Sequence, residues 1–322
     1  MDFNLFEVLV MEIFSIFRKE VVRTIQVTPN FQATNLWHCE DFKTLWLYKF
    51  LDHHKLLEKD VTVNLISVFG KRPTDLNKDY LNIFFTAENV HYFKKYNDNG
   101  MSFSDLSLGF DYIDHPKYHR FPLWITYLFP PDSTFEKVKE IVNNYNYSRG
   151  VLDRPTQFSL IASHNYRGKM RKKIVNFIEA NFGKVECAGK FMNNTNKLKV
   201  DYKDNKLDYL KQVVFNICPE NTNNKGYTTE KIFEAIQCGC IPIYWGDESN
   251  PEPTILNREA ILFYKDNTTN EELKKNLNQI LSSKNIDTIP RFTDNAAEEI
   301  WRMIYELRNK IDQLIVEKKL AV

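Results

Sequence analysis

Glycine is scarce in this sequence: 10 of 322 residues, about 3% where roughly 7% is usual. Neither G-x-G-x-x-G nor G-x-x-x-x-G-K-[ST] occurs, which excludes the two commonest glycine-built phosphate cradles. H-E-x-x-H and D-x-D are also missing. The seven histidines are scattered, and His53 and His54 are adjacent and cannot share one helix face, so a dedicated metal site has no support. The five cysteines (Cys39, Cys187, Cys218, Cys238 and Cys240) are odd in number and contain no C-x-x-C, which argues against a disulfide scaffold and structural zinc and for free thiols in a reducing compartment. Cys238 and Cys240 flank Gly239 at an expected helix-to-strand turn and read as small buried residues. Neither sign of charge is in excess: 43 Lys+Arg against 42 Asp+Glu give a net charge of +1, unlike a dedicated nucleic-acid binder. Long apolar runs are lacking too. Glu7 and Glu12 interrupt the greasy start MDFNLFEVLVMEIFSIF, and a membrane span needs roughly 18 uncharged residues. That start has no basic n-region or small-residue cleavage site, so it is not read as a signal peptide. It reads either as an amphipathic helix packed on the body or as a peripheral membrane or partner contact.

What is present suits a soluble α/β protein of about two domains, with 43% hydrophobic and 26% charged residues. In the first half, Thr24–Val27, Val61–Phe69 and Leu81–Thr86 are expected strands, and Cys39–Leu57 carries helical spacing. Phe121–Phe129 is an apolar run stopped by Pro130-Pro131 and followed by a polar stretch. Asn143–Asp153 is the linker candidate, which sets expected domains at 1–150 and 151–290 with a C-terminal helix in 291–322. The second half alternates sharply. Strands are expected at Phe158–Ser163, Lys184–Ala188, Val213–Cys218 and Ile241–Trp245, and helices at Lys169–Asn181, Leu207–Gln212 and from about Thr229 to a stop at Gly239. This is the pattern of βαβ units on a parallel sheet, whose ligands bind beyond the carboxyl ends of the strands. Near the C-terminus, Ile300, Ile304, Leu307, Ile311 and Leu314 form a heptad-like stripe too short for a coiled coil. The excess of asparagine, 32 residues, is put down to codon bias.

Three segments can carry chemistry. After Cys218, Glu220 and Asn221 leave a strand end, and Tyr227, Glu230 and Lys231 lie where the next helix starts. A cation in a first helical turn is unfavourable unless an anion is near, which points to phosphate; a solvated Glu-Lys pair on a capped surface helix is the plainer alternative. His164–Lys173 carries Arg167, Lys169, Arg171, Lys172 and Lys173, which form either a solvated face or a reach toward a pyrophosphate. Glu88 ends the apolar run FFTAEN, where a carboxylate can serve as a general base or do nothing at all.

Taken together, PENTNNKGYTTEKIFEAIQCGCIPIYWG (Pro219–Gly246) resembles the signature of the α1,3/4-fucosyltransferases, glycosyltransferase family 10. Pro219 and Thr222 depart from its F-E-N-S element. TAEN at Thr86–Asn89, LGFDYIDHPKYHRFPLW at Leu108–Trp124 and the turn SHNYRGKMRKKIVNFI are similar to further family segments. The resemblance implies an α/β GT-B fold, two Rossmann-like domains facing across a cleft, with acceptor bound by the first and GDP-fucose by the second. It implies Glu88 as general base, Arg171 at the diphosphate, Asn221, Tyr227, Glu230 and Lys231 on nucleotide and sugar, and inversion at the anomeric carbon. The partners implied are GDP-fucose and an N-acetyllactosamine-like glycan acceptor. Nucleic acid is not among them, and no cofactor or metal is required, with divalent-metal stimulation left open. The expected location is cytoplasmic, with membrane-peripheral contact open. The same scaffold using another nucleotide sugar, and a non-catalytic glycan-binding module, are the competing readings.

Overall fold

A computed structural model describes residues 21–36, 39, 41–148, 150–163, 169–265, 269–282 and 286–321. The greasy N-terminal stretch and Arg167 lie outside the described residues. The chain forms two compact units. One comprises Met1–Thr126, Pro130–Ser133 and Arg302–Val322; the other comprises Tyr127–Phe129 and Thr134–Trp301.

The first unit is built on a six-stranded sheet: β1 (Thr24–Thr28), β2 (Phe31–Thr34), β3 (Val63–Ile66), β4 (Leu81–Phe85), β5 (Leu106–Gly109) and β6 (Tyr118–Arg120), in that spatial order. Only β1 and β2 are antiparallel; every later pair is parallel. β3 and β5 are buried throughout and β4 at all but its last residue, as covered parallel strands must be. The strand order never reverses in this sheet. A polar ladder crosses it: Thr24 and Thr34 share a hydrogen bond of 2.9 Å, Thr34 Oγ1 donates to Asn64 Oδ1 at 2.8 Å, and Asn64 Nδ2 donates to Asn82 Oδ1 at 2.9 Å. Asn64 and Asn82 are register partners, and both are buried. Part of the asparagine excess is therefore structural: Thr34, Asn64 and Asn82 satisfy one another across the sheet, as most buried polar side chains must. The expected helix at Cys39–Leu57 is shorter. Leu45 is extended (φ −58, ψ 135) between a 3-10 turn and α1 (Trp46–His53), and Lys55 turns left-handed (φ 56) just beyond α1. The apolar run Phe121–Phe129 contains α2 (Trp124–Leu128).

The second unit begins its main segment with α3 (Phe135–Tyr145), in what reads from sequence as a polar stretch. Thr134 caps it by accepting from the Lys137 amide at 3.3 Å, and Val138, Ile141 and Val142 are its buried face. Asn146 then accepts from the backbone N–H groups of Arg291 and Phe292, and Ser148 donates to the Gly239 carbonyl at 2.8 Å. The segment 134–148, which includes the first residues of the linker candidate 143–153, is thus bonded into the second unit.

Its sheet comprises β7 (Thr156–Leu160), β8 (Val185–Cys187), β9 (Val213–Pro219), β10 (Ile241–Trp245) and β11 (Leu262–Phe263), all parallel, in the order β11-β10-β9-β7-β8. The winding reverses between β7 and β9, which makes that gap the topological switch point. The helices are α4 (Lys169–Asn181), the short α5 (Lys197–Val200) and α6 (Lys206–Leu210), α7 (Glu230–Gln237) and α8 (Asn270–Ser282). Phe158, Leu160, Ile174, Ile178, Phe215, Ile217 and Ile243 form the heart of the core. α7 stops where expected: Gly239 takes φ +71, which glycine adopts without penalty, and the Cys240 amide closes the end on Ala235 O at 2.8 Å. Cys238 and Cys240 are buried thiols, and burial pushes both up to about 12.

The last helix, α9 (Ala296–Ala321), buries Ile300, Ile304, Leu307, Ile311 and Ile315. The stripe ends on Ile315 and not on Leu314, which is only half-buried. A straight helix of 3.6 residues per turn drifts off a 3.5-residue repeat, and here the drift wins. Its portion from Arg302 on belongs to the first unit: Lys310 Nζ donates to Tyr118 O at 3.0 Å, and Lys318 pairs with Asp105 at 3.1 Å.

His54 sits beside the Phe50 ring, 4.6 Å between centroids. Burial first, then Arg308 and His53, lower its pKa to about 4. The unfolded chain binds this proton near pH 6.5 and the folded chain only near 4, so stability falls as pH drops between those values. In urea unfolding between pH 7 and 4, His54→Leu is expected to flatten this slope; an unchanged slope would show that His54 does not cause it.

Candidate functional site

The switch point brings together the strand ends that carry the candidate residues. One residue past β9, the Glu220 amide still donates to Trp245 O at 2.8 Å. The Glu220 side chain, 0% exposed, turns under the loop that follows. Its Oε1 accepts from the Thr229 amide (2.7 Å) and the Tyr244 hydroxyl (3.4 Å); its Oε2 accepts from Thr229 Oγ1 (2.7 Å) and Lys231 Nζ (3.2 Å). This carboxylate holds Thr229, the residue before α7, by both its amide and its hydroxyl, and the Thr229 side chain makes no cap bond of its own. Gly246 is the residue that lets it fit, since a Cβ there would lie 2.6 Å from Glu220 Cγ.

Lys231 is therefore held by carboxylates of its own chain, Glu220 at 3.2 Å and Glu230 at 3.6 Å. Burial opposes its charge, but the two glutamates outweigh burial and raise its pKa above the usual lysine value. The anion that its place in a first helical turn calls for is Glu220. The side chain as a whole is 24% exposed.

On the other side of the switch point, Arg171 enters from the first turn of α4, 5% exposed, and its Nη2 donates to Asn221 Oδ1 at 2.7 Å. Burial lowers its pKa, while Glu220 and Tyr227 act in the opposite sense. Tyr227 is buried at the end of the β9–α7 loop, its amide bonded to Asn224 O at 3.0 Å. Five of the six candidate residues (Arg171, Asn221, Tyr227, Glu230 and Lys231) thus lie at the carboxyl edge of one sheet. Two guanidinium- and ammonium-bearing side chains there, at the starts of two helices, suit a phosphate-bearing ligand.

Glu88 belongs to the first unit. It lies three residues past β4, half-buried, in a turn fixed by Thr86: the Glu88 amide donates to Thr86 Oγ1 at 3.0 Å and that hydroxyl donates back to Glu88 O at 2.5 Å. Asn89 caps the next turn by accepting from the His91 amide at 3.1 Å. Among the described residues, no group of three His, Cys, Asp or Glu is arranged to hold a metal ion, and no helix is long and apolar enough to cross a membrane. Glu220 stands in the sequence motif, but nothing in the local pattern marks it as the partner of Lys231. Its burial opposite a lysine eleven residues away is the kind of contact that only the fold reveals.

Two mostly parallel α/β sheets in one chain, one with a nucleotide-type switch point, define the GT-B class of glycosyltransferase fold. Three solved structures of α1,3-fucosyltransferase share it, including one described as "with GDP-fucose" (TM-score 0.55, 20% identity, 87% of this chain and 88% of that one). Another, described as "with GDP", gives a TM-score of 0.51 at 22% identity over 77% of both chains. Residues 152–292 match the model for glycosyltransferase family 10 (fucosyltransferase) C-term, and residues 31–127 match that for the alpha-(1,3)-fucosyltransferase FucT N-terminal domain. The chain belongs to glycosyltransferase family 10. Alpha-(1,3)-fucosyltransferase FucT of Helicobacter pylori is 27% identical over 256 residues, 67% of this chain; the chain spans about half the length of that relative.

Replacing Glu220 by Gln keeps the shape and one acceptor but removes the charge under Lys231. The variant is expected to lose about 1–3 kcal/mol in urea unfolding and to lower the Lys231 pKa in an NMR titration of Nζ. Unchanged values in both would remove Glu220 as the organising charge.

Proposed function

We propose that this chain transfers L-fucose from GDP-fucose to a hydroxyl of a GlcNAc-type, N-acetyllactosamine-like glycan, forming an α1,3 linkage with inversion at the anomeric carbon. The observation that carries this reading is the meeting of Arg171 and Asn221, 2.7 Å apart, at the switch point of a chain whose two units each match a fucosyltransferase domain. In this reading Arg171 binds the diphosphate. Lys231 directs two of its protons to Glu220 and Thr229 and offers the third to the β-phosphate. Asn221, Tyr227 and Glu230 hold nucleotide and sugar.

Glycoside hydrolysis needs two carboxyl groups because its alkoxide leaving group must be protonated. GDP departs as a stabilised anion, so one base and a cationic clamp suffice. Glu88 takes the proton of the acceptor hydroxyl as its oxygen bonds to fucose C1. The bond from C1 to the β-phosphate oxygen breaks on the opposite face, and its electron pair stays on GDP. The base contributes roughly 10²–10⁴ in rate, and the clamp stabilises the charge growing on the phosphate. No cofactor enters this scheme, and a divalent ion carried by the diphosphate can add to the clamp. Five unpaired cysteines, four of them buried, support a reducing, cytoplasmic setting.

Glu88→Gln separates the steps. It is expected to keep wild-type GDP affinity by calorimetry and to lose at least about 100-fold in transfer to N-acetyllactosamine. Full transfer by the variant would remove Glu88 as base. Stabilisation of the wild type by UDP but not GDP would assign a different donor.

A further inference from the structure

One residue after β10, past Gly246, the backbone turns left-handed. Asp247, Glu248 and Ser249 have φ of 43°, 49° and 61°, three consecutive non-glycine residues in a region that L side chains disfavour. Such a turn persists only where surrounding bonds hold it, and here those bonds go to the β9–α7 loop. Asp247 is 2% exposed; its Oδ1 accepts from the Gly226 amide at 2.5 Å and its Oδ2 from Thr228 Oγ1 at 2.7 Å. A third stitch joins the same two segments, the Glu248 amide donating to Asn223 Oδ1 at 2.7 Å.

The two residues that Asp247 grips are the immediate neighbours of Tyr227. Between them the chain makes a tight reversal: the Thr228 amide donates to Gly226 O at 2.9 Å, and Gly226 takes φ 83°. Tyr227 is the apex of that reversal, with one carboxylate oxygen fixing each side. A carboxylate suits this place because it is acceptor-only and faces two donors. The left-handed turn aims it, since the side chain of the second residue after β10 is thereby directed at the neighbouring loop.

We propose that Asp247 is a positioning residue for the donor: it fixes Gly226 and Thr228 and thereby sets the Tyr227 side chain for the nucleotide sugar. This deepens the fucosyl-transfer reading and rests on it. Asp247 itself touches neither substrate nor reacting atoms.

The test compares Asp247→Ala and Asp247→Asn, each alone and combined with Tyr227→Phe, by GDP calorimetry, by KM for GDP-fucose and for acceptor, and by hydrogen exchange at the Gly226 amide. Asp247→Ala is expected to weaken GDP binding and raise the donor KM by about tenfold, the scale of a lost charge-assisted bond, with the acceptor KM unchanged and Gly226 protection lost. Asp247→Asn, which keeps an acceptor for Gly226, recovers most of both. In the Tyr227→Phe background the Asp247→Ala penalty on GDP shrinks, because both changes act through one side chain. Additive penalties, an unchanged donor KM, or an Asn variant no better than Ala overturns the proposal. If Asp247→Ala does not fold, Thr228→Val removes half the clamp and is expected to give a smaller loss of the same pattern; no loss overturns the proposal. Failure of the wild type to bind GDP at all overturns the functional reading itself, whereas GDP binding with additive penalties overturns only the role of Asp247.

Discussion

The second unit's site depends on one buried carboxylate. Glu220 leaves the central strand of a parallel sheet, where any unpaired charge would be expensive, and each of its oxygens is used: by the backbone and hydroxyl of Thr229, by Tyr244 and by Lys231. With those bonds made, it ties the residue before α7 to the end of the strand and fixes the orientation of Lys231. Gly246 follows from it, since no side chain fits beside Glu220 there. The ion pair is less a source of stability than a device for holding one geometry, which is the better-supported use of such pairs.

On the proposed reading, the same constraint lets a chain so poor in glycine meet phosphate. Glycine cradles present backbone N–H groups to phosphate. On that reading this chain presents side-chain cations instead, Arg171 and Lys231, from the starts of two helices on either side of the switch point. The few glycines near the site serve the backbone. Gly226 and Gly239 take left-handed φ, and Gly246 leaves room for Glu220.

Much of the second unit was legible in its sequence because its strands are continuous apolar runs and its helices have one clear face. Lys169–Asn181 and Ile241–Trp245 fall where periodicity puts them. In the first unit the strands are short, and β2, β5 and β6 look like loops until paired. α3 was hidden by its polar majority, though Thr134 followed by Val138, Ile141 and Val142 is a capped amphipathic start. The polar ladder through Asn64 and Asn82 and the bond between Arg171 and Asn221 depend on side chains far apart in sequence, which no local pattern encodes. Lys231 shows the converse. Its unfavourable place in the helix was visible in the sequence, while the anion that answers it was supplied by the fold.

The central claim is that two side-chain cations at this switch point bind a nucleoside diphosphate. Calorimetric titration of the full chain with GDP and with GMP tests it most directly. The account predicts that GDP binds at least about tenfold more tightly than GMP, the scale of one charge-assisted contact to the β-phosphate, and that Lys231→Ala narrows that gap. Equal affinities for GDP and GMP in the wild type would contradict it.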